Sequence, residues 1–374
     1  MKLSVTTDVP YGNACEVEVM ADGDVSEVRF TPDPHGGNEC LWFCFRLRLD
    51  DGPRRIRLVC KHFDTCLGGS DPTAARPVVR ALEHDGTGGE SWQRWRRLDF
   101  GQARIHPDGR TDAVWETDIA PPGSDIAWCY PYGPEEVESL VSDVNGYWRV
   151  DPLGATHHGR TLKRLSNDYG EPDGSKPGIY LTARQHSGET PGSWTLDGLL
   201  RSLAERDERR ILIWSVPLTN LDGVVEGGYR NDPYPYDLNR AWGPSPMRHE
   251  TLVMRVDAAR WRGRCNPVLA IDFHAPAACE AGGVYCYLTR PDPESTDWPS
   301  AETWCESIAA SLGHFAAEPF ARIANYASRW GTWRFHDFFP RLGAAAFATE
   351  TPYSTLRGDP LTPDLDLVAF DPAV

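Results

Sequence analysis

Several features that mark common protein classes are missing from this sequence. Ten cysteines are present, at 15, 40, 44, 60, 66, 129, 265, 279, 286 and 305, without one C-x-x-C pair. Thiolate zinc sites and thioredoxin-type redox motifs are therefore unsupported, and reduced, mostly buried thiols are expected. No apolar run reaches the roughly 18 residues that span a membrane. The opening MKLSVTTDVPYGNACEVEV has one lysine, no long apolar core and no small-residue cleavage site, so no secretory signal is read there and the cytoplasm is the expected compartment. Positive charge is also scarce. The 38 Lys and Arg against 54 Asp and Glu give a formal net charge of −16, which argues against a nucleic-acid partner, because phosphate neutralisation needs a basic surface. An anionic small substrate is compatible with such a charge only where local arginines reverse the field inside a cleft.

What is present describes a globular protein. The hydrophobic fraction is 40%, charged residues make up 25%, and there are 14 Trp, with no low-complexity tract to interrupt them. A chain of 374 residues exceeds the roughly 250 to 300 at which single cores stop growing, so two domains are expected.

Residues 14 to 130 read as strands. CEVEVM alternates, ADGD is a turn and VSEVRF follows; CLWFCFRLRL and RRIRLVC, separated by the turn-rich DDGP, suggest a hairpin. SWQRWRRLDF and DAVWETDIA continue in the same style without a helical period. This pattern predicts an all-β sandwich over residues 1–133. PYGPEEVESLV then places Pro134 and two acids at a helix start, which marks the boundary. From there the rhythm alternates. GIYLTA and RILIWSVPL flank a helix expected at about 195 to 208, HETLVMRVDAARW is a helix before the strand NPVLAIDF, ETWCESIAASLGHF is another helix, and AAAFATE is a last strand. Residues 134–374 are thus predicted to form an α/β domain, a mixed sheet with helices on both faces.

The strand GIYLTA runs into RQHSGE, where His186 and Glu189 stand three residues apart. Two readings are open: a pair of metal ligands that needs a third elsewhere, or a polar strand end. Three further strand-like runs or their following loops carry polar residues, in TNLDGVVEGGYRNDPYPYDLNRAW, AIDFHA and FATETPY. Ligands in open α/β sheets collect at the carboxyl ends of strands. His274 alone could be a satisfied core histidine. Combined with His186 and Glu189 it completes a two-histidine, one-carboxylate set of the type that holds catalytic zinc with a fourth position open.

These pieces in this order resemble the zinc metallocarboxypeptidases, and specifically their cytosolic carboxypeptidase branch. The resemblance rests on HSGE at 186–189, NLDGVVEGGYR at 220–230, DLNRAW at 237–242, DFH at 272–274 and the glutamate of ATE, and it extends to the β-rich N-terminal part. It implies that His186, Glu189 and His274 bind one Zn2+ per chain and that Glu350 is the general base. Arg230 would stabilise the oxyanion, with a surface arginine in a Gly-rich loop as the alternative. Asn239 and Arg240 would grip the substrate's terminal carboxylate, a task suited to the planar guanidinium fork. Asp237 would accept the free ring N–H of His186, the alternative being an ordinary Asx turn. Tyr326 falls near the family's mobile tyrosine. GTWR resembles a pocket segment and would put Arg334 at the base of the specificity pocket, favouring acidic terminal residues; the alternative is a solvated loop arginine.

Two departures stand out. Leu221 replaces the family's proline in N-P-D-G, and only 24 residues follow Glu350, rich in proline and aspartate, so the usual terminal helix is expected to be shortened or missing. The function implied is hydrolysis of the C-terminal peptide bond of a peptide or protein tail. The competing readings are an N-acyl amino acid deacylase of the same zinc-hydrolase type and a non-catalytic module that grips peptide C-termini.

Overall fold

The computed structural model describes residues 3–22, 25–37, 39–50, 52–68, 71–84, 90–229, 237–246, 248–277, 280, 282–289, 301–324, 333–356 and 359–360. The N-terminal strands form two sheets. One is six-stranded and contains Leu3–Thr6, Cys44–Leu49, Gly123–Ala127, Val78–His84 and Glu90–Trp92, with Arg96–Arg97 paired beside Val78–His84. The other is five-stranded, in the order Cys15–Asp22, Val25–Thr31, Arg54–Cys60, Thr111–Ile119 and Gln102–Ile105. Alternation explains how they meet. Along Cys44–Leu49 the residues Phe45 and Leu47 are buried while Arg46 and Arg48 turn outward, and Phe30 from the other sheet meets Phe45 edge to face at 4.8 Å between ring centroids. Burying each such ring stabilises the pair of sheets by about 1.5–3 kcal/mol.

The hairpin expected across DDGP does not form. Cys44–Leu49 and Arg54–Cys60 lie in different sheets, and the second of them pairs in parallel with Val25–Thr31. Both strands carry one apolar face, and the turn passes from one sheet to the other so that both faces point into the same core. A turn-rich spacer between two strands marks a reversal without stating which partner each strand takes.

The second half begins at helix α1 (Pro134–Asp143) and carries an eight-stranded mixed sheet. Its strands are β1 (Arg149–Ala155), β2 (Thr161–Ser166), β3 (Pro177–Ala183), β4 (Leu212–Val216), β5 (Asn266–His274), β6 (Val284–Leu288), β7 (Ala316–Ile323) and β8 (Ala345–Glu350). They are ordered β1-β2-β4-β3-β5-β8-β6-β7. The central four, β4-β3-β5-β8, are mutually parallel. Such strands are buried on both faces, which is why they read as nearly continuous apolar runs. The longer helices beside them are α2 (Thr190–Glu205), α4 (His249–Arg262) and α5 (Glu302–Leu312), with short α3 (Leu221–Val225) and α6 (Phe335–Phe338). One face of the sheet packs Tyr180 against Trp261 and Phe339, and Trp242 against Phe335; the other packs Leu181 and Phe273 with Leu196 and Leu200 of α2.

Several buried hydrogen bonds join the two halves. Arg184 donates to the Tyr132 carbonyl at 2.8 Å, Tyr132 donates to Asp197 at 2.8 Å, and Asn13 donates to the Gly227 carbonyl at 2.7 Å. Just beyond β8, Tyr353 is buried against Trp128, its carbonyl accepts from Arg97, and Ser354 donates to the Ala74 carbonyl. Among the described residues no helix is long and apolar enough to cross a membrane. Of the nine cysteines described, seven are buried, as the sequence suggested for most of them.

Candidate metal centre and catalytic cleft

The loop after β3 turns sharply at Arg184, which takes a φ of 63°, and feeds α2. The helix starts at Thr190, five residues before the expected start. Pro191 sits in the first turn, where its missing N–H costs nothing. Gly192 explains why the turn-like composition is still helical: a Cβ there would come within 2.6 Å of the Phe273 carbonyl oxygen, so only glycine lets the helix lie directly on β5. That contact holds Glu189, at the N-terminal end of α2, beside His274 at the end of β5. The partial positive charge of the helix N-terminus favours a carboxylate in that position.

His186, Glu189 and His274 are all buried, and one ligand atom from each lies within 4.8 Å of the others. Their orientation is specific. The Nδ1 atoms of His186 and His274 face the two oxygens of Glu189, at 2.9 and 2.7 Å. Each Nε2 faces a different carboxylate: His186 meets Asp237 at 3.1 Å, and His274 meets Asp272. Two imidazoles therefore present the same nitrogen to one point while acidic partners fix their other side, the arrangement that orients metal-bound histidines.

Charge supplies an independent test of whether a cation fits. Glu189, Asp237 and Asp272 are buried together. Burial alone would raise the Glu189 carboxyl, yet the two adjacent imidazoles hold it well below the usual carboxylate range. Burial would likewise lower His274, but Asp272 and Glu189 push it well above its ordinary value. The site calls for positive charge; protons on the imidazoles can meet that need, and a divalent cation at the Nδ1 convergence would replace them. The residues present fit a metal ion.

Asp272 touches the site and was not assigned a role in the sequence reading. Its carboxylate touches His274, accepts from Thr182 at 2.7 Å, and meets the Gln185 amide, whose carbonyl accepts from Trp242 at 2.7 Å. The signal was in DFH: residues i and i+2 of a strand share a face. Replacing it, Asp272→Asn, is expected to weaken metal binding about 10- to 100-fold with the fold retained. Titration against a competing chelator at fixed pH measures this, and an unchanged affinity would remove Asp272 from that role.

Around this centre lies a cavity of about 370 Å³ lined by His186, Glu189, His274, Asn239, Arg240 and Glu350, together with Tyr229, Tyr285, Tyr287, Glu39 and Glu280. Glu350 arrives there by register: it pairs with His274 across the parallel strands β5 and β8, and the Thr351 N–H donates to the His274 carbonyl at 3.0 Å. Asp237 makes two contacts at the site. Its Oδ1 faces His186 and also accepts the Asn239 N–H at 2.8 Å, capping the short turn Leu238–Arg240. Asn239 spends its side-chain carbonyl on the Phe335 N–H at 3.0 Å and places its amide nitrogen 3.3 Å from His274 Nε2. Arg240 lines the cleft and donates to the Asn239 carbonyl at 2.8 Å.

Arg334 is placed differently from the rest. It caps α6, and its guanidinium engages Asp337 at 2.8 and 3.1 Å, an i,i+3 pair that is not among the residues lining the cleft. Burial would raise Asp337, but the bond from Arg334 holds it down at about 2. Arg230 and Tyr326 lie outside the described residues.

Two histidines and a glutamate thus gather at the carboxyl-end edge of an eight-stranded sheet with a parallel centre. No family model matches the chain. Among curated proteins it is 35% identical over 259 residues to cytosolic carboxypeptidase 6 of Mus musculus, covering 64% of this chain and 46% of that protein. It is 25% identical over 240 residues to cytosolic carboxypeptidase 6 of Caenorhabditis elegans, covering 59% and 50%. The chain thus spans about half the length of the curated relatives it matches. Among solved structures, a metallo-carboxypeptidase from Burkholderia cenocepacia superposes with a TM-score of 0.74 over 100% of this chain and 97% of that one, at 19% identity. A metallo-carboxypeptidase from Pseudomonas aeruginosa, in complex with (2-guanidinoethylmercapto)succinic acid, gives 0.71 over 99% and 96%, at 20% identity, so the fold is shared with both. The chain is thus similar in sequence to cytosolic carboxypeptidases and shares its fold with solved metallo-carboxypeptidases.

Proposed function

We propose that this chain is a zinc-dependent carboxypeptidase, binding one Zn2+ and hydrolysing the C-terminal peptide bond of a peptide or protein tail. The observation that carries the reading is the convergence of two Nδ1 atoms and Glu189 in the cleft that Glu350 and Arg240 also line. Zinc, when bound by His186, Glu189 and His274, would act as a Lewis acid and lower the pKa of a bound water to about 7. Glu350 takes the proton from the attacking water and passes it to the leaving amine. Arg240, with the amide protons of Asn239, binds the terminal carboxylate and sets the scissile bond one residue away. Arg230 is proposed as the donor to the developing oxyanion.

The proposal includes a preference for terminal Glu or Asp, carried by Arg334 exchanging its Asp337 partner for the substrate's carboxylate. Glu39 and Glu280 in the cleft oppose that preference, so the two tendencies compete and the outcome is measurable. Tyr326 is proposed to close over the substrate. The division at 133/134 and a cytoplasmic location belong to the same reading, the latter supported by the relatives' names. The net charge of −16 supports the absence of a nucleic-acid partner.

Metal analysis combined with a small substrate panel tests this. Stoichiometric zinc and release of the last residue from free-acid peptides are expected, with Glu or Asp preferred over Leu and Lys. Cleavage confined to N-acyl amino acids would identify a deacylase, and peptide binding without turnover a recognition module. A preference for Leu or Lys would remove Arg334 from the pocket.

A further inference from the structure

On the α2 and α5 face of the eight-stranded sheet lies a groove of about 630 Å³ that no step of the proposed hydrolysis uses. Its floor is Leu181, Ile271 and Phe273 from the central strands, all buried. Leu199 of α2 and Ile308 of α5, both half-buried, form the sides, and Trp304 stands 39% exposed at the rim. Among the described residues that line the groove, none is charged. Its size falls within the range of about 300 to 1,000 Å³ in which proteins hold small molecules, and an open apolar recess on this scale marks a surface that is used.

Three hydroxyls supply polarity to the groove, and they sit close together. Thr349 of β8 and Thr351 just beyond it face the groove, with Thr195 of α2 beside them. Thr195 gives its only hydroxyl proton to the Pro191 carbonyl at 3.0 Å, so at its 3.2 Å contact with Thr351 it accepts and Thr351 donates. Thr351 keeps acceptor lone pairs for a further partner. Thr349 is only 6% exposed, and its hydroxyl meets no hydrogen-bond partner in the protein. A buried hydroxyl left unpaired destabilises the fold. Thr349 therefore offers both a donor and an acceptor to whatever enters.

We propose that this groove is a binding site for a small neutral amphiphile, an aliphatic or aryl-alkyl chain that carries a hydroxyl. The chain displaces water from Leu181, Ile271 and Phe273, while the hydroxyl pairs with Thr349 and Thr351. A carboxylate or ammonium head is disfavoured, because no charge in the groove would offset its dehydration. The site lies on the reverse of the cleft. Thr349 and Thr351 face the groove while Glu350 between them lines the cleft, as strand alternation requires, so binding here is independent of any substrate and of the proposed hydrolysis.

Titration of the full chain with 1-octanol at submillimolar concentration, followed by saturation-transfer NMR and by thermal unfolding, tests the proposal. Saturable binding is expected, with a melting temperature that rises with ligand concentration. Octanoate and octyltrimethylammonium should bind at least about tenfold more weakly. Two variants locate the site. Thr349→Val keeps the side-chain shape and removes the hydroxyl. It should weaken octanol binding about three- to tenfold and raise the melting temperature of the ligand-free protein, since an unpaired buried hydroxyl is lost. Gly198→Trp projects into the groove from α2, where an added Cβ meets nothing within 4 Å, and should abolish binding. Thr349→Val decides the matter even if the tryptophan variant folds poorly. Absence of saturable binding to the wild type, octanoate binding as tightly as octanol, or an affinity that Thr349→Val leaves unchanged would each overturn the proposal. So would octanol binding that weakens as protein concentration rises alongside a dimeric mass in light scattering, because the occupant would then be a second copy.

Discussion

Glu350→Gln is expected to keep its metal and lose its chemistry. The ligand atoms converge on Glu189, and Glu350 approaches only from the neighbouring strand, so the amide should leave metal stoichiometry at the wild-type value. Hydrolysis should fall by about 10² to 10⁴, the range that positioned acid-base groups contribute. The amide is nearly isosteric and keeps its place at the end of β8, so stability should barely change. Loss of stoichiometric metal would make Glu350 a ligand, and near-normal turnover would make it a bystander.

Removing the cationic fork at Arg240 is expected to have the next largest effect. Arg240→Ala should weaken capture of a free terminal carboxylate by about 2 to 5 kcal/mol, which is roughly 30- to several-thousand-fold, because a desolvated charge loses its partner. The loss should appear mainly in KM if the ground state already makes the contact. C-terminally amidated peptides should be poor substrates of the wild type, and Arg240→Ala should discriminate little between amide and acid. Equal cleavage of the two by the wild type would sink the exopeptidase reading, whereas an unchanged KM in the variant would only move the anchor to another residue.

Much of the C-terminal half was legible because its physics is local and repetitive. Strands buried on both faces must be apolar throughout, so a histidine or glutamate at the end of GIYLTA, NPVLAIDF or AAAFATE stands out, and the parallel sheet gathers those ends along one edge. The start of α2 was less visible, since Thr-Pro-Gly looks like a turn until the closeness of Phe273 shows why Gly192 must be small. Strand partners were not legible across DDGP, because an amphipathic strand states which face is buried and says nothing about which sheet it joins. Arg334 and Asp337 illustrate a different limit. The i,i+3 spacing was present in RFHD, but whether a cation faces substrate or its own helix depends on a rotamer that sequence does not encode.

The stretch just past β8 has a consequence for modularity. Only three residues beyond Glu350, Tyr353 is buried against Trp128, its carbonyl is held by Arg97, and Ser354 is tied to Ala74. The strand bearing the proposed base is therefore moored to the N-terminal sheets, which support the candidate site from outside the His186, Glu189 and His274 group. A substitution that loosens the Trp128 core is therefore expected to disturb the placement of Glu350, which couples the N-terminal half to the chemistry proposed for the cleft.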